Sequence, residues 1–421
     1  MSPPTHYDPN SPNEMHAPAL PAAARVQVSR HTILQPPLSR RGTGPGLILV
    51  QHGIDVLTEA VNSAESASLD PEPVQKWAEE GFAVAAITLP RGAEKSDFGD
   101  EIIAAATALK VHNSVTNKEG LGFVIYTVDS TELVVGLLPE LKRRGVVCVL
   151  GYGSVSKPPL DCELPLYIHM AKGESEVSSP AKSANSNVTV ATYPDVRDFF
   201  FDPRVGTYNA AASAIAHTKS LVFLRKHLDG PHFDLEAIWE EHTYWEFERR
   251  SVAQTMATMV FTHYRQAEPY VNHVPTMTGG MGREKLTAFY RDHFIFCNPP
   301  DVALNPISRT VGPDRIVDEF IFTCTHTSHI PWLLPSVPPT NAKLSVPMVA
   351  IVNIRGDRLY HEHIWWDQAG VLRQAGILPT HVDREDGSRL KLPVAGVEAA
   401  RLLADERDGT SNEMIIDTAE K

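Results

Sequence analysis

Residues 361–376 of the chain read HEHIWWDQAGVLRQAG. The first residues of this stretch predict a strand, and alternate residues of a strand share one face. One face then carries two imidazoles, an indole and a carboxylate: His361, His363, Trp365 and Asp367. Ionisable groups are rare in a plain core because they must be paired there. If this face lines a cavity, it combines proton-transfer groups with an aromatic wall, so Asp367 and the two histidines are candidate acid/base residues.

The pattern around this stretch changes from helices to consecutive strands. Helices are expected at 234–248, 251–263 and 283–294, and strands at 308–312, 316–327, 345–354 and 359–366. Helices followed by strands joined by short turns favour an α+β layout, in which helices pack on one curved antiparallel sheet. We therefore expect a cone-shaped α+β domain with a small-molecule pocket over residues 234–380.

The first half of the chain has a different pattern of apolar and polar residues. Short apolar runs such as GLILVQHG (46–53), FAVAAITLP (82–90) and GVVCVLGYG (145–153) alternate with helical stretches. Such runs are typical of parallel strands covered on both faces. Residues 26–230 are therefore predicted to form a doubly wound α/β domain, closed by an Ala-rich helix over 208–228.

Composition narrows the class of protein. The chain has 421 residues, a net charge of −13 and no Lys/Arg-rich run, which argues against nucleic acid as a partner. Neither a signal peptide nor a run of membrane-spanning length is apparent, and the four cysteines have no C-x-x-C spacing. We expect a cytoplasmic protein with reduced thiols, a flexible tail over 1–25 and a carboxy-terminal extension over 381–421.

The first domain resembles the dienelactone hydrolase family of the α/β-hydrolase fold. The family's G-x-C-x-G nucleophile elbow corresponds to residues 151–155, GYGSV, so Gly153 stands at the nucleophile position. The family's acid and histidine correspond to Glu176 and Asp198. Without a nucleophile or an imidazole, acyl-enzyme chemistry has no route. The resemblance therefore implies a catalytically silent domain, and Cys148, inside a strand, is interpreted as a structural thiol.

The second domain resembles the SnoaL-like polyketide cyclases, which belong to the cone superfamily that includes ketosteroid isomerase. The resemblance rests on the loop 270–275, the strand pair around 338–340 and the block 361–376, which matches the strand–Asp–helix ending of the family. It implies a cofactor-free and metal-free site with Asp367, His363 and His361 as catalytic residues. Expected substrate-binding residues are His273, Trp365, Tyr270, His326 and Trp332.

Each of these residues also has an interpretation that involves neither catalysis nor substrate binding. His361 and His363 could be solvated on the convex side of the sheet, and the H-x-H spacing could suggest a metal. His273 could satisfy backbone groups, the segment around His326 could be an exposed polar loop, and the tryptophans could be core residues.

The function expected from the resemblance is a cyclase or isomerase of secondary metabolism. Its substrate would be a small hydrophobic polyketide or terpenoid intermediate, and the step would be acid/base catalysis or a pericyclic closure of the Diels–Alder type. The alternatives are a lactone or ester hydrolase in the first domain and a non-catalytic binding protein. A homodimer through the outer face of the sheet is a further expectation, unless the first domain covers that face.

Overall fold

The computed structural model describes residues 4–19, 23–53, 68–89, 95–126, 130–153, 162–171, 187–260 and 269–415. The described part contains an eight-stranded sheet, a six-stranded sheet and a two-stranded ribbon. None of its helices combines the length and apolar character needed to cross a membrane.

The first sheet belongs to the amino-terminal half. Its strands are β1 (Val26–Gln27), β2 (Thr32–Gln35), β3 (Gly46–His52), β4 (Ala83–Leu89), β5 (Leu121–Tyr126), β6 (Val146–Tyr152), β7 (Leu166–Ala171) and β8 (Val188–Tyr193). They lie in the order β1-β2-β4-β3-β5-β6-β7-β8. The strands from β3 onward pair in parallel, whereas β1 and β2 add an antiparallel edge. The sheet is therefore mixed rather than purely parallel.

Helices cover both faces of this sheet, so its strands are apolar on both sides. They are α2 (Pro73–Glu79), α3 (Lys95–Val111), α4 (Ser130–Arg143) and α5 (Ala210–Leu228), while α1 (Pro12–Met15) lies in the amino-terminal segment. Two separate buried clusters, one around Ile48 and Phe123 and one around Leu49 and Trp77, pack on opposite faces of the sheet. Burial on both faces is why β3 and β5 read as nearly continuous apolar runs.

The second sheet carries the candidate site. Its strands are β9 (Tyr270–His273), β10 (Thr278–Met281), β11 (Ala303–Val311), β12 (Arg315–Thr325), β13 (Lys343–Arg355) and β14 (Arg358–Trp366). Their order is β10-β9-β14-β13-β12-β11. The pairs are antiparallel except for β9 and β14, which run parallel. The expected antiparallel sheet is corrected at this one pair, because β9 and β14 are not consecutive strands and are not joined by a hairpin.

Helices pack on one face of this sheet and close a single core around Trp239, Phe322 and Trp332. They are α6 (Leu235–Thr243), α7 (Val252–Ala257), α8 (Arg283–Phe289) and α9 (Gln368–Gln374). Both α6 and α8 continue directly into a π-helical turn, over Tyr244–Glu248 and Tyr290–Phe294. Such wide turns are rare and frequently occur at functional sites.

The turn between β13 and β14 joins the two halves of the chain. Arg355 is almost completely buried there and makes ion pairs with Asp70 and Glu79 at 2.8 and 2.9 Å. Gly356 adopts a φ of +60°, and a Cβ at this position would lie 2.1 Å from the carbonyl oxygen of Glu79. The first domain is therefore docked tightly at the end of the strand that carries residues 361–366.

Described segments near both ends of the chain contact the second domain. Within the expected tail over 1–25, helix α1 contacts α7, and the Tyr7 ring packs on Phe296. The Glu14 carboxylate accepts hydrogen bonds from the backbone N–H groups of Val252 and Ala253 at 2.8 and 2.9 Å. In the extension, β15 (His381–Asp383) and β16 (Arg389–Lys391) form the ribbon, and α10 (Val397–Ala404) contacts β13.

Candidate active site

A narrow cavity lies between the helices and the inner face of the second sheet. Its walls are mainly aromatic: Trp239, Phe247, Phe294, Phe320, Phe322 and Trp332. Five groups with exchangeable protons or lone pairs also line it: Thr243, Glu246, His273, Tyr290 and Glu362. The free space is about 40 Å³, which is room for a few water molecules only. A substrate must therefore insert a small reacting end or move side chains aside.

Two of the polar side chains at the site come from one helical segment. His242 lies in the last turn of α6, and Glu246 lies four residues later in the π-helical turn. Residues four apart lie on the same side of a helix. The Nε2 atom of His242 consequently lies 3.0 Å from Oε1 of Glu246, and both side chains are buried.

A threonine fixes which nitrogen of His242 faces the carboxylates. The Thr258 hydroxyl donates to the carbonyl oxygen of Thr255 at 2.7 Å. Because a hydroxyl has one hydrogen, its oxygen must accept from the Nδ1–H of His242, which lies 2.6 Å away. Nε2 is therefore the nitrogen that exchanges its proton with the carboxylates.

The environment keeps a proton on this imidazole. Burial by itself would lower the pKa of His242, but the Glu246 and Glu362 carboxylates raise it to about 10. Burial also raises the pKa of Glu246, although the His242 imidazole opposes that rise. A buried imidazole and two carboxylates thus share one mobile proton, an arrangement suited to acid/base catalysis at neutral pH.

Strand β14 and the second π-helical turn complete the group. Glu362 projects from β14, and its Oε1 atom lies 3.3 Å from Nε2 of His242. That oxygen is buried and has no hydrogen-bond partner among the described residues. The Tyr290 hydroxyl lies 3.3 Å from Nε2 and interacts with both carboxylates. Burial raises the pKa of Tyr290 well above its usual value, so the phenol stays protonated and able to donate.

The same residues could hold a metal ion. Ligand atoms of His242, Glu246 and Glu362 lie within 4.8 Å of one another. A divalent cation would need a neutral imidazole with a bare Nε2 atom, so the cation and the shared proton are alternative occupants of this position.

The expected catalytic residues lie on the other side of β14. Glu362, Ile364 and Trp366 point into the core, whereas Trp365 is 48% exposed. Asp367 is exposed and accepts hydrogen bonds from Ala369 N and Gly370 N, so it is the N-cap of α9. The expected side of the strand is therefore corrected: its apolar face is inside.

The two histidines on the outer face differ from each other. His361 lies near the docked first domain, and burial lowers its pKa to about 4. His363 is half-buried, and burial lowers its pKa as well. The Tyr270 ring contacts both imidazoles edge-on at 5.7 Å, which places Tyr270 on the same outer face. None of these three residues lines the cavity.

Of the expected substrate-binding residues, His273 and Trp332 do line the cavity. Their rings lie 5.0 Å apart, and burial lowers the pKa of His273 to about 3, so its imidazole is neutral. His326 is buried elsewhere, with Nδ1 3.1 Å from the Thr340 hydroxyl. The sequence contained a signal for the residues that were missed: the His242-x-x-x-Glu246 spacing in a predicted helix.

The hydrolase alternative depends on the carboxyl edge of the first sheet. Gly153 follows β6, Asp198 is exposed in a later turn, and Glu176 lies outside the described residues. The Phe201 ring packs against Tyr126 and Tyr152, at the ends of β5 and β6, with centroid distances of 5.3 and 5.0 Å. This part of the edge is filled with aromatic rings.

Other reactive groups in the first domain are also buried. Burial raises the pKa of the Cys148 thiol to about 12, so it is a poor nucleophile. The Ser220 hydroxyl lies 2.9 Å from Nε2 of His169, but it donates to the Ala216 carbonyl oxygen and is completely buried. Its geometry is that of a packing network without access for a substrate.

Comparisons with known proteins give only structural matches. No protein-family model and no curated protein matches the sequence. One similar structure is a SnoaL-like polyketide cyclase from Jannaschia sp. CCS1, with 16% identity and a TM-score of 0.27, covering 36% of this chain and 99% of that one. Another is a protein with a ketosteroid isomerase-like fold from Catenulispora acidiphila DSM 44928, with 15% identity and a TM-score of 0.25, covering 34% and 93%.

A different kind of protein matches as well. A dienelactone hydrolase from Klebsiella pneumoniae subsp. pneumoniae MGH 78578 has 12% identity and a TM-score of 0.37, and covers 49% of this chain and 98% of that one. Each of these structures is matched over nearly its whole length but covers only part of this chain.

Proposed function

We propose that the chain is a cyclase or isomerase that moves protons on a hydrophobic intermediate inside the cavity of its second domain. The observation that carries the proposal is the buried group of His242, Glu246, Glu362 and Tyr290, which opens on an aromatic-walled cavity. Polyketide and terpenoid intermediates are substrates of the expected kind, because they are largely apolar and carry carbonyl groups with acidic C–H bonds.

In the proposed mechanism, Glu362 is the general base. Glu362 lines the cavity, and its Oε1 atom, 3.3 Å from Nε2 of His242, makes no well-oriented hydrogen bond among the described residues, so it keeps a lone pair for a proton taken from carbon. The Tyr290 hydroxyl stays protonated and donates a hydrogen bond to the oxygen that becomes negative as the enolate forms. The enolate carbon then attacks a second carbonyl, or takes a proton back at a new position.

His242 does not line the cavity but lies behind the two carboxylates. Its role in the proposal is to hold the mobile proton that Glu246 returns to the product. This arrangement lets one base and one acid act in sequence without bulk water.

A purely conformational mechanism is the second candidate. Aromatic walls that hold a reactive conformer can accelerate a pericyclic closure without proton transfer. The narrow space that Trp332 and Phe322 line is the observation that favours it.

The test begins with deletion of the gene and mass spectrometry of the intermediate that accumulates. Purified protein should convert this intermediate without an added cofactor. In D₂O an isomerised product should carry deuterium at the reprotonated carbon, whereas an aldol product should have lost one carbon-bound hydrogen to the solvent. Conversion that keeps every carbon-bound hydrogen and takes up no deuterium would support the pericyclic candidate instead. Failure of the protein to convert the intermediate, with or without added divalent metal, would contradict both.

A further inference from the structure

A second, larger cavity adjoins the first. It has a volume of about 360 Å³. The two cavities share the residues that separate them: Trp239, Thr243, Phe247, Leu304 and Phe320. We call the larger cavity the vestibule. Because the inner space holds only a few water molecules, the vestibule must hold most of any substrate.

The walls of the vestibule are mainly apolar, but its charges have one dominant sign. Glu248 and Asp318 line it together with one cation, Arg309. Arg309 is already paired with the Asp318 carboxylate at 3.0 Å, and it also reaches Glu240 at 3.2 Å and Glu236 at 3.5 Å. The lining therefore carries two carboxylates and one guanidinium, and the carboxylates of Glu236 and Glu240 lie beside Arg309 outside the lining.

The charged groups that line the inner cavity are also carboxylates. Glu362 Oε1 is buried there without a hydrogen-bond partner among the described residues, and no guanidinium or ammonium group lines the inner cavity in the described part of the chain. An anionic group would lose its hydration on entry and would meet carboxylates rather than a counter-ion. An uncharged apolar molecule would lose little hydration and would gain contact with Trp239, Phe247 and Phe320.

We propose that the vestibule admits an uncharged hydrophobic substrate in free form and rejects anions, including acyl groups carried on coenzyme A or on a phosphopantetheine arm. This inference deepens the proposed function and rests on it for the identity of the reaction. It also sets a requirement for the preceding step. That step must release the intermediate from its carrier without leaving a free carboxylate, as ring-forming or decarboxylative release does.

Two fluorescent probes of one skeleton test the selection by charge. N-phenyl-1-naphthylamine is uncharged, and 1-anilinonaphthalene-8-sulfonate is the same molecule with a sulfonate. The uncharged probe should bind at least about tenfold more tightly at low ionic strength, and added salt should narrow the ratio. Equal or tighter binding of the sulfonate would overturn the proposal.

Matched variants assign the effect to the vestibule. Glu248→Lys should raise the affinity for the sulfonate severalfold, whereas Glu385→Lys, the same charge change at an exposed position in the extension, should leave it unchanged. Leu304→Trp fills the vestibule and should abolish binding of the uncharged probe. Probe binding that survives Leu304→Trp would contradict the location.

The test of charge selection can fail while the test of the proposed reaction succeeds, and the reverse. Glu362→Gln should stop conversion of the pathway intermediate but keep the ratio of the two probe affinities above about tenfold. A protein that converts its intermediate yet binds the sulfonate preferentially would retain the proposed reaction and lose the proposed substrate class.

Discussion

The guanidinium of Arg355, at the turn between β13 and β14, lies 2.8 Å from Asp70 in the first domain. Glu79 binds the same guanidinium at 2.9 Å, so one cation is held by two buried carboxylates. The turn leads directly into the strand that carries Glu362. The first domain is therefore bound to the start of the strand that carries the candidate site.

The first prediction concerns this contact. Arg355→Met leaves the buried Glu79 carboxylate without its counter-ion and leaves Asp70 paired with Lys76 alone, so it should lower the free energy of unfolding by about 3–5 kcal/mol. Urea denaturation would measure the loss. Arg389→Met removes an exposed ion pair with Asp383 and is the matched control, which should leave the unfolding midpoint unchanged. A midpoint for Arg355→Met equal to that of the control would contradict the stabilising role of this contact.

The second prediction concerns pH. The folded protein raises the pKa of His242 from 6.5 to about 10, so protonation of this imidazole stabilises the fold. That contribution is complete below about pH 6.5 and is lost as the pH rises through about 10. Stability should fall over this window by up to about 1.4 kcal/mol per pH unit from this group. Glu362→Gln removes one of the carboxylates responsible, so its stability should depend less steeply on pH in denaturation experiments.

The third prediction separates the two faces of β14. The Asp367 carboxylate caps α9, so Asp367→Ala should lower the free energy of unfolding by about 1 kcal/mol. Asp367→Asn keeps a capping oxygen and should cost less. Neither change touches the cavity, so both variants should convert the accumulated intermediate at the wild-type rate. Loss of conversion in a folded Asp367→Asn variant would restore the interpretation of Asp367 as the acid/base residue.

The positions of most strands could be predicted from the sequence, because apolar runs bounded by Gly, Pro or charge mark them well. The choice of face on β14 could not be predicted from the ionisable residues. Ile364 and Trp366 bury their apolar surface, and Glu362 is carried inward with them. His361 is partly buried on the opposite face, near Asp70 and Lys76 of the first domain, and local periodicity does not contain such a long-range contact.

The proposed catalytic group could not be predicted from the sequence for a related reason. Its members come from α6, from two π-helical turns and from β14, which are far apart along the chain. Only the spacing of His242 and Glu246 is local enough to be recognised in a sequence. Their convergence with Tyr290 and Glu362 depends on how the helices pack on the sheet, which the sequence pattern does not specify.

The most direct test of the central claim is the rate at which Glu362→Gln converts the accumulated intermediate, measured beside Asp367→Asn. Gln is nearly isosteric with Glu but cannot accept a proton from carbon, so the rate should fall by about 10²–10⁴-fold. Circular dichroism should show both variants folded, and Asp367→Asn should keep the wild-type rate. A Glu362→Gln variant that converts the intermediate at the wild-type rate would contradict acid/base catalysis in this cavity.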